Sequence, residues 1–304
     1  MFDRSEMIYL YVETPLHAGS GGSVGVVDLP IQRERVTHYP LVQASSVKGK
    51  LRSEASERAN TDEQKLKVQV VFGSEEHGYA GALSPGDARL LLFPVRSLVG
   101  VYAYTTSRNV LSRFKRDLEA AGKGATATWT FDNLPDAGDA WTVDDKSVVT
   151  NQTVVLEEFS FKATQHTDVK TLADWLADNA FPQTDDYKYF RDKVRNSVVI
   201  LPEDSFRDFT QFATEVVARI RIDQETKTVA PGALWTEEHL PSDTLLYAPL
   251  HASRPRTDKT PDGLKTADDV LAFVRALKLD RIQLGGDETI GRGIVRLRLS
   301  GGEQ

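Results

Sequence analysis

At 304 residues, with 44 acids against 37 bases and 40% hydrophobic residues, the chain has a globular balance and enough length for one large core or two smaller ones. It contains no cysteine, which excludes disulfide frameworks, Cys-ligated zinc, iron–sulfur clusters and thiol catalysis. The opening MFDRSEMIYLYVETP is acidic with a short apolar run. Neither a signal peptide nor a membrane span is expected there, and a cytoplasmic protein is the default.

Met7–Glu13 (MIYLYVE) reads as a first strand, followed by a glycine-rich loop, His17–Gly25. Ser45 or Ser46 is expected to cap a helix, SSVKGKLRSEASERA, that ends near Asn60. TDEQKLKVQVVFG is a second capped segment, stopping at Gly73. Asp87–Val95 (DARLLLFPV) reads as a buried strand and Ser107–Ala121 as a helix stopped by Gly122. Gly122–Asp145 is polar and punctuated by Gly and Pro, and reads as loop or insertion. Helices are expected at Asp168–Ala177, Asp185–Arg195 and Glu203–Ala213. Val216–Asp223 reads as a strand that enters a turn-rich ribbon through PGALWTEEHLP. A strand at Leu245–Leu250, a helix at Ala267–Leu277 and a strand at Gly293–Leu299 complete the chain. Strands followed by helices at both ends, with insertions between, predict an α+β core of split β-α-β type. That topology is also the chassis of common single-strand RNA-binding modules.

Charge is segregated along the chain. Ala88–Arg116 carries six bases (Arg89, Arg96, Arg108, Arg113, Lys115, Arg116) and no acid, whereas Asp132–Asp145 carries five acids and no base. Either a basic groove within an acidic surface or two solvated faces would look like this.

Two glycine loops invite comparison with nucleotide sites and fail it. In HAGSGGSVG, counted from Gly19, the third glycine position holds Val24, and an extended VVDLPIQ follows where a helix should start. GGDETIGRGI has the GxxxxG spacing from Gly286 to Gly291, but Arg292 and Gly293 replace the Lys and Ser/Thr of a phosphate loop. Either loop could still bring bare backbone N–H groups close to phosphates, and a tight turn explains each equally well.

Lys48 and Arg52 stand one turn apart near a helix start. Cations there oppose the helix dipole by roughly a few tenths of a kcal/mol each. A bound anion would offset that cost; a solvated basic face is the other reading. The six histidines, at 17, 38, 77, 166, 239 and 251, include no i, i+4 pair and no HExxH, so a built-in zinc site is not expected. No GxSxG elbow supports a serine nucleophile. In GVVDLPIQRER, Asp28 follows a flexible apolar run, and Pro30 biases Leu29 towards extended geometry. A shaped turn and a carboxylate held for chemistry both fit.

Taken in order, PLHAGSGGSVGVVDLPIQRER, YPLVQASSVKGKLR, GALSPGDARLLLFPVRS, KTVAPGALWTEEHLP and IQLGGDETIGRGIVRLRL resemble the repeat-associated mysterious protein (RAMP) superfamily. Within it they are most similar to the multicopy backbone subunit of type III-B CRISPR effector complexes. The likeness spans nearly the whole chain and is thinnest over roughly Gly122–Asn196. It implies a modified RNA-recognition-motif (ferredoxin-like) core, α+β in class, with large helical insertions and a protruding β-hairpin thumb. One RAMP domain would cover 1–304, with its core at about 1–121 and 197–304, an insertion at about 122–196 and the thumb at about 221–244.

The resemblance further implies that copies stack head to tail along guide RNA, beside the other subunits of the complex and with no membrane partner. Each thumb would flip a nucleotide out of the guide–target duplex, and target RNA would be cut beside it at regular intervals in a Mg²⁺- or Mn²⁺-dependent reaction. Asp28 matches the residue required for cleavage and is the expected metal contact. His17, Glu237 and His239 match positions near the scissile phosphate, the last commonly a tyrosine in related chains. Ser46, Lys48 and Arg52 are expected to grip the guide backbone. Gly285, Gly286, Gly291, Arg292 and Gly293, in the superfamily's glycine-rich loop, are expected to approach RNA. The alternative is a non-catalytic RNA-binding filament subunit of the same kind of complex.

Overall fold

In the computed structural model, which describes residues 2–23, 25–74, 78–131, 133–144, 146–258 and 260–301, the first strand, β1 (Arg4–Val12), is buried from Met7 onward. Val24 of the glycine loop, His77, and Asp132 and Asp145 of the acidic run lie outside the described residues. A short β2 (Leu41–Val42) leads into α1 (Ala44–Glu57). Neither Ser45 nor Ser46 caps this helix, as the sequence suggested. Its N-cap is Gln43, which makes no side-chain cap bond, and the Ala44 N–H donates instead to Asp87 Oδ1 at 2.8 Å. The cap comes from across the fold, so Ser45 and Ser46 fall inside the first turn.

The next helix, α2 (Asp62–Phe72), opens with a capping box between Thr61 and Gln64. Short strands β3 (Gly73–Ser74), β4 (Tyr79–Ala80) and β5 (Leu83–Pro85) precede the long β6 (Ala88–Arg96). Pro94 in β6 lies beyond Leu92, where pairing with the neighbour on one side stops, and faces Tyr104 of the neighbour on the other. β7 (Tyr102–Ser107) runs directly into α3 (Arg108–Ala120), which buries Val110, Leu111, Phe114 and Leu118 along one stripe.

The segment expected as polar loop contains β8 (Asp139–Thr142), four residues that alternate half-buried and buried. Then come β9 (Thr153–Leu156), β10 (Phe159–Gln165), α4 (Thr167–Asn179), α5 (Lys188–Ser197), β11 (Val198–Leu201) and α6 (Glu203–Phe212). A ribbon of β12 (Glu215–Ile222) and β13 (Val229–His239) follows. β14 (Leu245–Ala252), α7 (Ala267–Ala276), β15 (Arg281–Gln283) and β16 (Ile294–Leu299) end the chain.

Ten strands form one mixed sheet in the order β15-β16-β1-β14-β6-β7-β11-β8-β10-β9, with β2 and β5 paired at its side. β1 pairs antiparallel with both β14 and β16, Tyr9 opposite Tyr247 and Arg298. Parallel pairs appear further out, β11 with β7 and β10 with β8. Residues 122–196 therefore supply three strands to the same sheet, and Trp129 and Trp175 pack with Phe114 at ring-centroid distances of 6.4 and 5.6 Å. Burying side chains of this size stabilises by roughly 1.5–3 kcal/mol or more apiece.

β12 and β13 lie off that sheet as a two-stranded antiparallel hairpin, with Glu215 opposite His239 at its base and Ile222 opposite Val229 near its turn. The turn is closed by Asp223 Oδ1, which accepts from the N–H groups of Glu225 and Thr226. The basic run around α3 does not form one open groove. Arg89 and Arg116 both pair with Asp117, Arg96 with Glu157 and Arg113 with Glu34. Among the described residues, no helix is long and apolar enough to cross a membrane.

Candidate active site

Three loops converge on the base of the hairpin. Leu16 exchanges both backbone hydrogen bonds with Leu240, at 2.9 Å each, which lays the start of the glycine loop beside the end of β13. Leu29 docks on the same strand from the other side, donating to the Thr236 carbonyl and accepting from the Glu238 N–H, both at 3.0 Å. The C-terminal glycine loop closes the third side, with the Gly286 N–H donating to the His17 carbonyl at 2.9 Å. That approach requires glycine. A Cβ on Gly285 would run into the His17 carbonyl and one on Gly293 into that of Leu284, and both backbones are left-handed, at φ +77° and +71°.

These close contacts account for Gly285 and Gly293, and Gly286 packs on the His17 ring. Gly291 is also left-handed, at φ +76°, but borders open space. Arg292 comes within 3.8 Å of Glu215 at the foot of the hairpin.

Asp28 is exposed, yet its carboxylate is not free to wander. Oδ2 accepts from the Thr236 N–H at 2.7 Å and from Thr236 Oγ1 at 2.9 Å, while the Asp28 N–H donates back to Oγ1 at 3.0 Å. The Thr236 backbone bond first and its hydroxyl second hold the Asp28 carboxyl below its ordinary range, so it is ionised at neutral pH. The loop that carries it is itself closed: the Ser23 N–H donates to the Asp28 carbonyl at 2.8 Å and the Ser20 N–H to Pro30 at 3.0 Å. The turn and the held carboxylate are thus one construction.

His17 Nδ1 lies 2.7 Å from the Glu238 carbonyl. A carbonyl only accepts, so Nδ1 carries a proton, and Nε2 is the ring position turned away from that bond. The His239 ring is 5.4 Å away and wholly buried. Burial is the main reason its pKa is lowered. Glu237 is also buried; its Oε1 accepts from Trp235 Nε1 at 2.7 Å and its Oε2 from Arg219 Nε at 2.9 Å. Asp287 lies beside both, with Oδ2 at 3.4 Å from His239 Nε2 and 3.3 Å from Arg219 Nη2. Glu237, His239 and Asp287 each bring one ligand atom within 4.8 Å of the others, a donor set that fits a divalent cation. Asp28 lies outside that trio.

Glu238 plays a different part. Its carboxylate pairs with Arg33, accepts from the Ile31 N–H at 3.0 Å and from Thr214 Oγ1 at 2.8 Å. It clamps the strand that follows Asp28 to the hairpin base.

The expected RNA grip lies beyond this cluster, linked through Gln32, which donates from Nε2 to Gly19 and accepts the Gln43 N–H through Oε1. On α1, Ser46 is exposed and Lys48 half-buried. Burial, then the charges of Arg256 and Arg52, lower the Lys48 pKa, so three cations crowd one face. Sequence reasoning missed Arg256, Thr236, Arg219 and Asp287. Asp287 stood inside the GGDETIG loop, where nothing but its left-handed backbone, φ +63°, marks it out.

Comparison with known proteins identifies the family. Residues 9–296 match the RAMP superfamily. The CRISPR system Cmr endoribonuclease Cmr4 of Pyrococcus furiosus is 40% identical over 305 residues, covering 97% of this chain and 96% of that protein. The crystal structure of oligomeric Cmr4 from the same organism superposes with a TM-score of 0.73 at 31% identity, covering 98% of both chains. A subunit of the type III-B Cmr-beta complex bound to cognate target RNA, solved by cryo-electron microscopy, gives a TM-score of 0.73 at 25% identity, again over 98% of both. With its fold, its glycine loops and nearly its whole length accounted for, the chain belongs to the RAMP superfamily.

Proposed function

We propose that the chain is a backbone subunit of a type III-B CRISPR ribonucleoprotein that binds guide RNA and cleaves complementary target RNA at regular intervals. It stacks head to tail with further copies, beside the other subunits of the complex, in the cytoplasm. We read the antiparallel β16-β1-β14-β6 region and its helices as a modified RNA-recognition core, and the β12–β13 hairpin as its thumb. The observation that carries the reading is the ionised Asp28 carboxylate, exposed and pinned by Thr236 where the hairpin base meets the His17 loop.

The hairpin supports the same reading. Val216, Ile220, Ile222, Val229 and Leu234 are exposed aliphatics along it, suited to wedging between stacked bases rather than to facing water. A nucleotide pushed out of the duplex lets its 2′-hydroxyl swing into line with the adjacent phosphate, a geometry that A-form RNA resists. Asp28 is too weak a base at neutral pH to drive the reaction as proton acceptor. Because Oδ2 is already bonded twice to Thr236, its role is to orient that hydroxyl, and placement of this kind accounts for much of a rate gain. The hydroxyl proton passes to Nε2 of His17. The 2′-oxygen bonds to phosphorus, the P–O5′ bond breaks on the opposite side, and the departing 5′-oxygen takes a proton from water, leaving a 2′,3′-cyclic phosphate. A Mg²⁺ or Mn²⁺ held between Asp28 and the RNA phosphate, and so only once RNA is bound, would supply charge neutralisation there.

Guide RNA binds across α1, where a phosphate relieves the mutual repulsion of Lys48, Arg52 and Arg256. Lys48→Ala is expected to reduce the salt slope of guide affinity by roughly 0.7, and an unchanged slope returns this face to solvent.

The deciding experiment is Asp28→Asn in the reconstituted complex. Assembly on guide RNA is expected to be normal, with target cutting lost. Undiminished cutting by a normally assembled complex overturns the catalytic assignment.

A further inference from the structure

The base of the hairpin holds a second group of side chains that the proton transfer does not use. Glu237 and His239 stand two apart on β13, so both project from the same face of the ribbon, and Asp287 reaches them from the C-terminal glycine loop. Imidazole Nε2 lies 3.4 Å from Asp287 Oδ2 and 3.8 Å from Glu237 Oε2. Charge-assisted hydrogen bonds are shorter, roughly 2.7–2.9 Å. Ligands arranged around one ion, each about 2.0–2.2 Å from it, stand roughly 3.0–3.6 Å apart, close to the observed spacing.

The histidine itself points to a ligand. It is wholly buried, and its Nδ1 has no hydrogen-bond partner among the described residues. Every polar contact of the ring therefore depends on the two carboxylates, which it meets only at long range. The positive charge that now serves them is Arg219, with Nε at 2.9 Å from Glu237 Oε2 and Nη2 at 3.3 Å from Asp287 Oδ2. Arg219 comes from β12 and its side chain is 26% exposed, so it can back out towards solvent without disturbing the core.

We propose that Glu237, His239 and Asp287 form a divalent-cation site, selective for Mn²⁺-like ions over Mg²⁺, in which the Arg219 guanidinium stands in for the ion until displaced. The imidazole sets the selectivity. Mg²⁺ prefers an all-oxygen shell and holds its waters, whereas Mn²⁺, Co²⁺ and Zn²⁺ accept nitrogen. Three protein ligands leave positions open for water and for a phosphate oxygen. The site deepens the reading of the hairpin base as the place of cleavage and rests on it for its use there, but its existence can be tested without RNA.

The metal-free full chain is titrated with Mn²⁺ alone, and free ion is followed by electron paramagnetic resonance. Wild type is expected to bind one Mn²⁺, with Mg²⁺ competing about ten-fold more weakly. Arg219→Gln is expected to tighten Mn²⁺ binding about ten-fold by removing the competitor, and Asp287→Asn and His239→Phe to weaken it by about ten-fold or more. A thermal melt accompanies each variant. Should His239→Phe fail to fold, Asp287→Asn carries the test, because it keeps the shape of a partly exposed side chain. Absence of Mn²⁺ binding in both wild type and Arg219→Gln overturns the site, as does binding that Asp287→Asn leaves intact. Asp28→Asn is expected to retain Mn²⁺. If that variant also cuts RNA normally in the complex, the cleavage reading fails while this site stands.

Discussion

The hairpin is two structures in one ribbon. At its base, Glu237, Glu238 and His239 are buried, and the carboxylates are committed to Arg219, Trp235, Arg33, Thr214 and the Ile31 N–H. Towards its turn the same strands show Ile220 and Leu234 to solvent at 51% and 67% exposure, side by side across the ladder. A buried carboxylate bonded on all sides holds a fixed geometry, and its cost in desolvation is offset only while every partner remains. An exposed aliphatic pair fixes nothing within the chain, and its burial must be completed by something else. The base serves position and the blade serves contact.

The largest effect should come from cutting the base loose. Glu238→Ala leaves Arg33, whose side chain is only 16% exposed, without its counter-charge, and frees the Ile31 N–H. Breaking a buried pair on one side costs about 3–5 kcal/mol, and urea unfolding should show a loss of that order. A loss below about 1 kcal/mol would mean that the base is no clamp. The blade should behave in the opposite way. Ile220→Ser with Leu234→Ser is expected to change stability by no more than about 0.5 kcal/mol for each surface substitution. Target cleavage by the assembled complex should nevertheless fall about ten-fold, equivalent to about 1.4 kcal/mol of lost contact. Equal loss in both measurements would make the blade part of the core, and loss in neither would remove it from the RNA path.

The two ends of the ribbon also differ in how far they were legible from sequence. VVARIRID announces a strand by alternation, whereas the hairpin is implied only by the family resemblance; PGALWTEEHLP reads as turn-rich, yet β13 runs from Val229 to His239 as regular strand. Asp28 stood out because Gly, Val and Pro framed it. Its partner Thr236 did not, because the bond joins residues 208 positions apart and threonine is commonplace in strands. Arg219 and Asp287 meet only once the C-terminal loop has folded against the hairpin. The same limit explains the α1 cap, where two serines at the helix start are the ordinary signal but Asp87 arrives from the beginning of β6. It explains the basic run too: Arg96 and Arg113 look unopposed in sequence because Glu157 and Glu34 lie far along the chain. Short strands such as β8 and β11, at four residues each, are too brief for periodicity to separate from loop or helix end.

The finest adjustment falls where base and loop meet. Thr236→Val removes the hydroxyl that bonds Asp28 Oδ2 but keeps the backbone N–H that bonds it more strongly. Asp28 is held below its ordinary range in the folded protein, so the stability it contributes is complete above the unfolded value of about 3.9 and disappears as pH falls through the folded value. With the hydroxyl gone, the folded value should move part of the way up and that acid window should narrow. A carbon-13 titration of the Asp28 carboxyl measures the shift directly. If orientation is what Asp28 supplies, the variant should cut several-fold more slowly than wild type at neutral pH, where the carboxylate stays ionised in both. A titration that moves while cutting does not would separate the bond from the chemistry and leave the backbone N–H as the only part of Thr236 that matters.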